Sequence, residues 1–169
     1  HCPSVESVSA ETVRWGPAAT AKYKGQEIVD TEFSGATPEH FANIGADLKD
    51  GRLFTEIDNL HRRDIVVIGD DIVTRFFQNE DPVGKVINVD GHNFEVVGTL
   101  DKRKQILGSD ENNTMVIIPY LTFRKIYPNA KDNFITAMAA PGKVYQAMEE
   151  IRGLLRTRRG VKFNDADNF

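Results

Sequence analysis

The residue types that most often perform chemistry in proteins are present in this sequence, but their spacing does not suit that chemistry. The four histidines are at positions 1, 40, 61 and 92. They include no pair with the i, i+4 spacing of a metal site on a helix, and no His-X-His pattern occurs. We therefore interpret all four as surface or hairpin residues.

Nucleotide-binding and hydrolase motifs are also absent from the sequence. Gly84-Lys85 resembles the end of a phosphate-binding loop, but Asn79 stands where that loop has glycine and Val86 where it has Ser or Thr. Neither G-x-G-x-x-G nor the G-x-S-x-G elbow occurs. The paired carboxylates fall at expected turns and helix caps, where Asp is favoured for local hydrogen bonding. The sequence therefore predicts no catalytic, cofactor-binding or metal-binding residue and no enzyme activity.

The composition is that of a folded domain and excludes several classes of partner. The 169 residues suit one domain or two small subdomains, at ~150 residues per domain. The net charge of −4 argues against a nucleic-acid partner. Cys2 is the single cysteine, so no intramolecular disulfide can form. No apolar stretch approaches the ~20 residues of a membrane-spanning helix, and without an initial Met we interpret the chain as an excised or processed segment.

Alternating strand and helix patterns predict a mixed fold. We expect a two-stranded ribbon over 5–36 that turns at Lys24-Gly25, then a short helix capped by Thr37. The aliphatic run 65–68 predicts a strand buried on both faces. Two strands joined by Asp90-Gly91 predict a hairpin, because Asp-Gly suits a type I′ turn.

Two further patterns concern which side chains are buried. In the return strand of the hairpin, Phe94, Val96 and Leu100 are expected on one face and Val97 on the other. The last helix, about 143–159, carries a continuous apolar face and ends at Gly160, which suits a C-terminal cap. Hairpins mixed with helices favour an α+β fold over a doubly wound parallel sheet.

Six stretches in a fixed order resemble one protein family. They are residues 33–41 (FSGATPEHF), 51–55 (GRLFT), 66–69 (VVIG) with 76–77 (FF), 81–85 (DPVGK), 94–98 (FEVVG) and 118–120 (IPY). This ordered set is similar to the extracytoplasmic core domain of MacB-type ABC transporter permeases, a group related to FtsX and to the lipoprotein-releasing Lol permeases. The resemblance covers nearly the whole chain.

The resemblance implies an α+β fold with two subdomains. A split, porter-like βαβ subdomain would take residues 1–36 plus 129–169. A Sabre-like α/β subdomain with a β-hairpin would be inserted over residues 37–128. The family supplies no catalytic residues to carry over.

The resemblance also implies a location and a function. Such a domain lies between the first and second transmembrane helices, on the periplasmic side of an inner-membrane protein. It transmits ATP-driven helix motion during efflux or export of drugs, peptides or lipoproteins. The implied partners are a separate ATP-binding module, a second copy of the permease, a periplasmic adaptor protein and an outer-membrane channel. No cofactor and no nucleic acid is implied.

Other interpretations stay open at this stage. An FtsX-like member would instead regulate cell-wall hydrolases, and a free-standing sensory or protein-binding domain could share the fold. An enzyme that uses scattered carboxylates is a third class.

The polar segment 101–114 predicts an exposed loop. Its apolar tip is formed by Ile106 and Leu107. Because exposed apolar patches often mark contact surfaces, our hypothesis is that these two residues contact a partner or the symmetry-related subunit.

Overall fold

A computed structural model of the chain describes residues 2–13, 16–102, 114–130 and 132–169. Within these ranges the chain forms nine strands and five helices. The strands are β1 (Val5–Val13), β2 (Ala19–Tyr23), β3 (Gln26–Ala36), β4 (Leu48–Gly51), β5 (Ile65–Ile68), β6 (Val86–Val89), β7 (His92–Leu100), β8 (Met115–Pro119) and β9 (Asn133–Ala139). The helices are α1 (His40–Asn43), α2 (Glu56–Leu60), α3 (Asp70–Phe76), α4 (Tyr120–Ile126) and α5 (Val144–Arg159).

The nine strands belong to one sheet, in the order β2-β6-β7-β5-β8-β3-β1-β9, with β4 paired to β7. Because β2 also pairs with β3, the first six strands of this order form a closed path. Strands β1 and β9 extend the sheet outward from β3. The β3–β8 and β5–β7 pairs are parallel and the others are antiparallel. The predicted α+β class is confirmed.

Two apolar clusters lie on opposite faces of strand β5. Val66 and Ile68 belong to the larger cluster, whereas Ile65 and Val67 belong to the smaller one. Successive side chains of a strand point to opposite faces, so β5 is buried along its whole length, as its sequence predicts. The larger cluster is lined by strands of the closed path and is covered by the aromatic side chains of α3 and α4.

Local turn chemistry is also confirmed. Asp90 and Gly91 have φ values of +49° and +85°, as a type I′ hairpin turn requires. Gly160 ends α5 in the left-handed conformation, with φ of +64°.

Two local expectations are wrong: residues 5–36 do not form a two-stranded ribbon, and Thr37 does not cap the helix that follows it. Residues 5–36 contain three strands, because β1 ends at Val13 and a separate strand, β2, begins at Ala19. The Thr37 hydroxyl does not cap α1, which begins at His40. It accepts a hydrogen bond from the Ala10 backbone N–H at 3.1 Å and so attaches the start of this segment to β1.

One expectation about side-chain placement is also corrected. Leu100 packs in the same cluster as Val97, because the pairing of β5 with β7 shifts by one residue and reverses the alternation. The apolar face of α5 exists, but Val144 and Met148 are each 61% exposed. Of the α5 residues, Ala147 alone is buried.

Candidate functional site

Two of the sequence stretches that carry the family resemblance, 51–55 and 94–98, touch at one place in the structure, which we call the glycine crossing (Gly51, Arg52, Val97 and Gly98). Gly51 has a φ of +77°, and a Cβ there would lie 2.3 Å from the Val97 carbonyl oxygen. A Cβ on Gly98 would lie 2.2 Å from the Arg52 carbonyl oxygen. The Arg52 N–H donates to the Val97 carbonyl at 2.8 Å. Glycine is required at both positions because two backbones touch here.

The turn at 81–85 completes the crossing from the other side. The Gly84 N–H donates to the Val96 carbonyl at 2.7 Å, and the Val96 N–H donates to the Lys85 carbonyl at 2.8 Å. The Asp81 carboxylate accepts from the Val83 N–H at 2.9 Å and shapes the turn. Three of the six stretches that carry the family resemblance therefore meet through backbone contacts.

Helix α2 follows the crossing directly and is anchored by one buried carboxylate. The Asp58 side chain is 3% exposed and accepts from Arg52 at 2.7 Å and from Arg63 at 3.0 Å. It also accepts from the Thr55 N–H at 2.9 Å, while the Asp58 N–H donates to the Thr55 hydroxyl, which makes a capping box. The Arg52 hydrogen bond lowers the pKa of the Asp58 carboxyl well below its usual range, against the opposing effect of burial, and the Thr55 bonds lower it further.

A second buried polar side chain joins α2 to α4. The Asn59 amide oxygen accepts from the Leu121 N–H at 2.9 Å. The Thr122 hydroxyl donates to the Arg63 carbonyl at 2.9 Å. The polar residues of α2 are thus turned inward, and Ile57 and Leu60 are left 62% and 59% exposed. Helix α2 is not among the elements predicted from sequence, although the Thr55-x-x-Asp58 spacing is a capping signal that indicates a helix start.

Of the residues considered for chemistry, those within the described ranges do not come together. Ile106 and Leu107 lie outside the described residues, so the contact-loop hypothesis stays a prediction. His61 and His92 are exposed, but His40 is buried, and the surface interpretation of that residue is wrong. Its Nε2 lies 3.9 Å from a Glu11 carboxylate oxygen. Among the described residues, no group of three or more His, Cys, Asp or Glu side chains is arranged to hold a metal ion.

The fold and the crossing together define a mixed α+β domain in which glycine-containing segments hold two backbones in contact. The model of one family, described as the MacB-like periplasmic core domain, matches residues 1–154. The chain belongs to that family.

Sequence relatives and solved structures agree with this assignment. A macrolide export ATP-binding/permease protein MacB from Nitrosomonas europaea is 34% identical over 114 residues, which is 65% of this chain and 17% of that protein. The MacB of Neisseria meningitidis serogroup A is 26% identical over 96% of this chain and 26% of its own length. The chain thus spans about a quarter or less of these relatives.

Two solved structures share the fold. The periplasmic region of MacB from Actinobacillus actinomycetemcomitans has a TM-score of 0.77 at 21% identity, over 94% of this chain and 69% of that one. The extracellular domain of the ABC-type transporter YknZ from Gram-positive bacteria has a TM-score of 0.73 at 23% identity, over 95% of this chain and 80% of that one.

The family assignment fixes the location and the general role of the chain. It is a periplasmic domain of a MacB-like ABC transporter permease, and it is not an ATP-binding domain. In the part of the chain that the structure describes, no helix is both long and apolar enough to cross a membrane.

Proposed function

We propose that this domain transmits ATP-driven motion of transmembrane helices to the periplasm, in a permease that exports drug, peptide or lipoprotein substrates. The glycine crossing carries this proposal. It joins β4, β7 and the 81–85 turn through direct backbone contacts, so a displacement of one segment moves the others with it. Two relatives named as macrolide export proteins make macrolides the first substrate class to test.

The partners follow from the same proposal. The relatives are named as ATP-binding/permease proteins, which supports an ATP-binding module in the parent of this chain. We propose that the parent works as a dimer of two permease copies. A periplasmic adaptor protein and an outer-membrane channel would receive the substrate.

We also propose the division into a split porter-like part, residues 1–36 plus 129–169, and an inserted Sabre-like part, residues 37–128. The pairing of β1 with β9, from Val5↔Ala139 to Thr12↔Asn133, supports a joined pair of outer segments. Strand β3 pairs with β1 over 34–36 and with β8 over 32–36, so it connects the two parts.

The experiment compares two Gly-to-Ala substitutions in the parent permease. Gly98→Ala adds a Cβ inside the glycine crossing, whereas Gly153→Ala makes the same chemical change in α5, where a Cβ meets nothing within 4 Å. We expect Gly98→Ala to lower erythromycin export several-fold while ATP hydrolysis by the purified protein continues. Gly153→Ala should leave both activities unchanged.

Two results would contradict this proposal. Export at the wild-type rate by a correctly inserted Gly98→Ala permease would show that the crossing is not in the path of motion. A change in cell-wall hydrolase activity without any change in export would favour the FtsX-like regulatory alternative.

A further inference from the structure

Helix α2 has the reverse of the usual surface-helix pattern. Its inner residues are polar, with Asp58 and Asn59 only 2% and 4% exposed as whole residues, and two of its three outer side chains are aliphatic. Ile57 is 62% exposed and Leu60 is 59% exposed. A surface helix ordinarily turns its apolar stripe toward the core, so two large aliphatic side chains held outward indicate a contact surface.

The hydrogen bonds of α2 prevent it from turning over. Rotation that buried Ile57 and Leu60 would withdraw the Asp58 carboxylate from Arg52 and Arg63. It would also withdraw Asn59 from the Leu121 N–H. Unpaired buried polar groups are costly, so the outward direction of the two aliphatic side chains is fixed.

The charges along this segment indicate which partner fits. Exposed Glu56 stands at the start of α2, where one of its carboxylate oxygens accepts from the Asn59 amide at 3.2 Å. Exposed Arg62 follows the end of α2, and the two charges after it are paired within the chain, Arg63 with Asp58 and Asp64 with Lys125. An antiparallel copy of the same segment places the acidic end against the basic end at both places at once. Such self-complementarity is the property that a two-fold contact between identical chains requires.

We propose that α2 is a contact between two copies of this chain, packed antiparallel about a two-fold axis. Ile57 and Leu60 of one copy pack against Ile57 and Leu60 of the other copy, and Glu56 of each copy faces Arg62 of the other. A surface built on one short helix is far smaller than the ~800 Å² per partner of a stable complex, so the contact is weak between free chains. It becomes effective when two copies are held together, because tethering raises the local concentration to the millimolar range.

The test measures disulfide crosslinking of the 169-residue chain in a Cys2→Ser background. Leu60→Cys places a thiol at the proposed axis, and Val86→Cys is the matched control, because Val86 is 53% exposed on β6. Rates of dimer formation with copper phenanthroline are normalised to the reaction of each thiol with a soluble disulfide reagent. We expect Leu60→Cys to crosslink at least tenfold faster than Val86→Cys.

Charge reversal then tests the antiparallel arrangement. Added to Leu60→Cys, either Glu56→Arg or Arg62→Glu should slow crosslinking at least fivefold, because each creates like charges at both ends. In an equal mixture of these two variants, the rate of crosslinking between unlike chains should return to that of Leu60→Cys alone. A size tag on one variant distinguishes the mixed dimer from the two dimers of like chains. Circular dichroism confirms that each variant is folded, and Ile57→Cys replaces Leu60→Cys if the latter is not.

Three outcomes would overturn the proposal. The first is crosslinking at position 60 no faster than at position 86. The second is a rate that neither charge reversal nor mixing changes. The third is co-sedimentation with phosphatidylglycerol vesicles that Leu60→Ser abolishes, while crosslinking stays at the control rate, which would assign the surface to a bilayer. These readouts involve no transport, so they are independent of the function proposed above.

Discussion

Replacing Gly98 by alanine would insert a methyl group between two backbones that are already in contact. The added Cβ would lie 2.2 Å from the Arg52 carbonyl oxygen, 3.0 Å from the Arg52 carbonyl carbon and 3.2 Å from the Arg52 nitrogen. All three atoms belong to the main chain, so no side-chain rotation can relieve the clash. Segments β4 and β7 must separate by about 1 Å to reach ordinary van der Waals distance.

The expected cost has two parts. Overpacking a close-packed site costs roughly 1–3 kcal/mol. Separation of the strands also weakens the 2.8 Å hydrogen bond from the Arg52 N–H to the Val97 carbonyl, a bond worth about 1 kcal/mol. We expect Gly98→Ala to lower the free energy of unfolding by about 3 kcal/mol. Gly153→Ala, in the interior of α5, should instead raise it by up to ~1 kcal/mol, because alanine is the better helix former.

Urea denaturation followed by circular dichroism measures both variants against the wild-type chain. In thermal unfolding the Gly98→Ala variant should melt roughly 6–12 °C lower, at ~2–4 °C per kcal/mol for a protein of this size. A loss below about 0.5 kcal/mol would refute the argument, because it would mean that the crossing opens without strain. An equal loss in Gly153→Ala would refute it too, since that glycine has open space around it.

Substitutions at three further positions test other contacts. Asp58→Asn should cost about 2 kcal/mol at pH 7, since it removes the charged partner of Arg52. The folded-state pKa of Asp58 is lowered, so its contribution is fully present above the unfolded pKa of ~4 and is lost progressively as pH falls from there through the folded-state pKa. The gap between the urea midpoints of wild type and variant should therefore narrow as pH falls from about 4 to about 2, and a constant gap would contradict this. Thr55→Ala should cost ~1 kcal/mol in urea through loss of the helix cap, and Thr55→Ser should not. Gly35→Ala should lower thermal stability by roughly 1–3 kcal/mol, since its Cβ would lie 2.2 Å from the Phe123 Cβ, and an unchanged melting temperature would refute that clash.

Local signals in the sequence predicted those elements whose conformation depends on a few neighbouring residues. The Asp90-Gly91 turn and the Gly160 cap are examples, because positive φ angles favour particular residue types wherever they occur. Strand β5 was equally clear, since four consecutive aliphatic residues indicate burial on both faces.

Features that depend on distant residues could not be predicted in this way. Helix α2 was missed because its polar residues are buried against Arg52, Arg63 and α4, so its pattern does not show an inward apolar stripe. The predicted face of Leu100 was wrong because a one-residue shift in the pairing of β7 with β5 reverses the alternation of side chains. The sequence of β7 alone does not indicate that shift. Likewise the glycine crossing needs residues 51 and 98 together, and neither reveals its partner from local sequence.

Strand β3 takes part in three ladders along its eleven residues, with β2 beside its first half and with β8 and β1 beside its second half. A pull along β3 therefore loads the five β3–β8 pairs in shear, so their hydrogen bonds must fail together. A pull across the strands would open the same bonds one after another, as a zipper opens. The fold is thus mechanically anisotropic, and single-molecule stretching through residues 32 and 119 should meet a higher rupture force than stretching across the sheet.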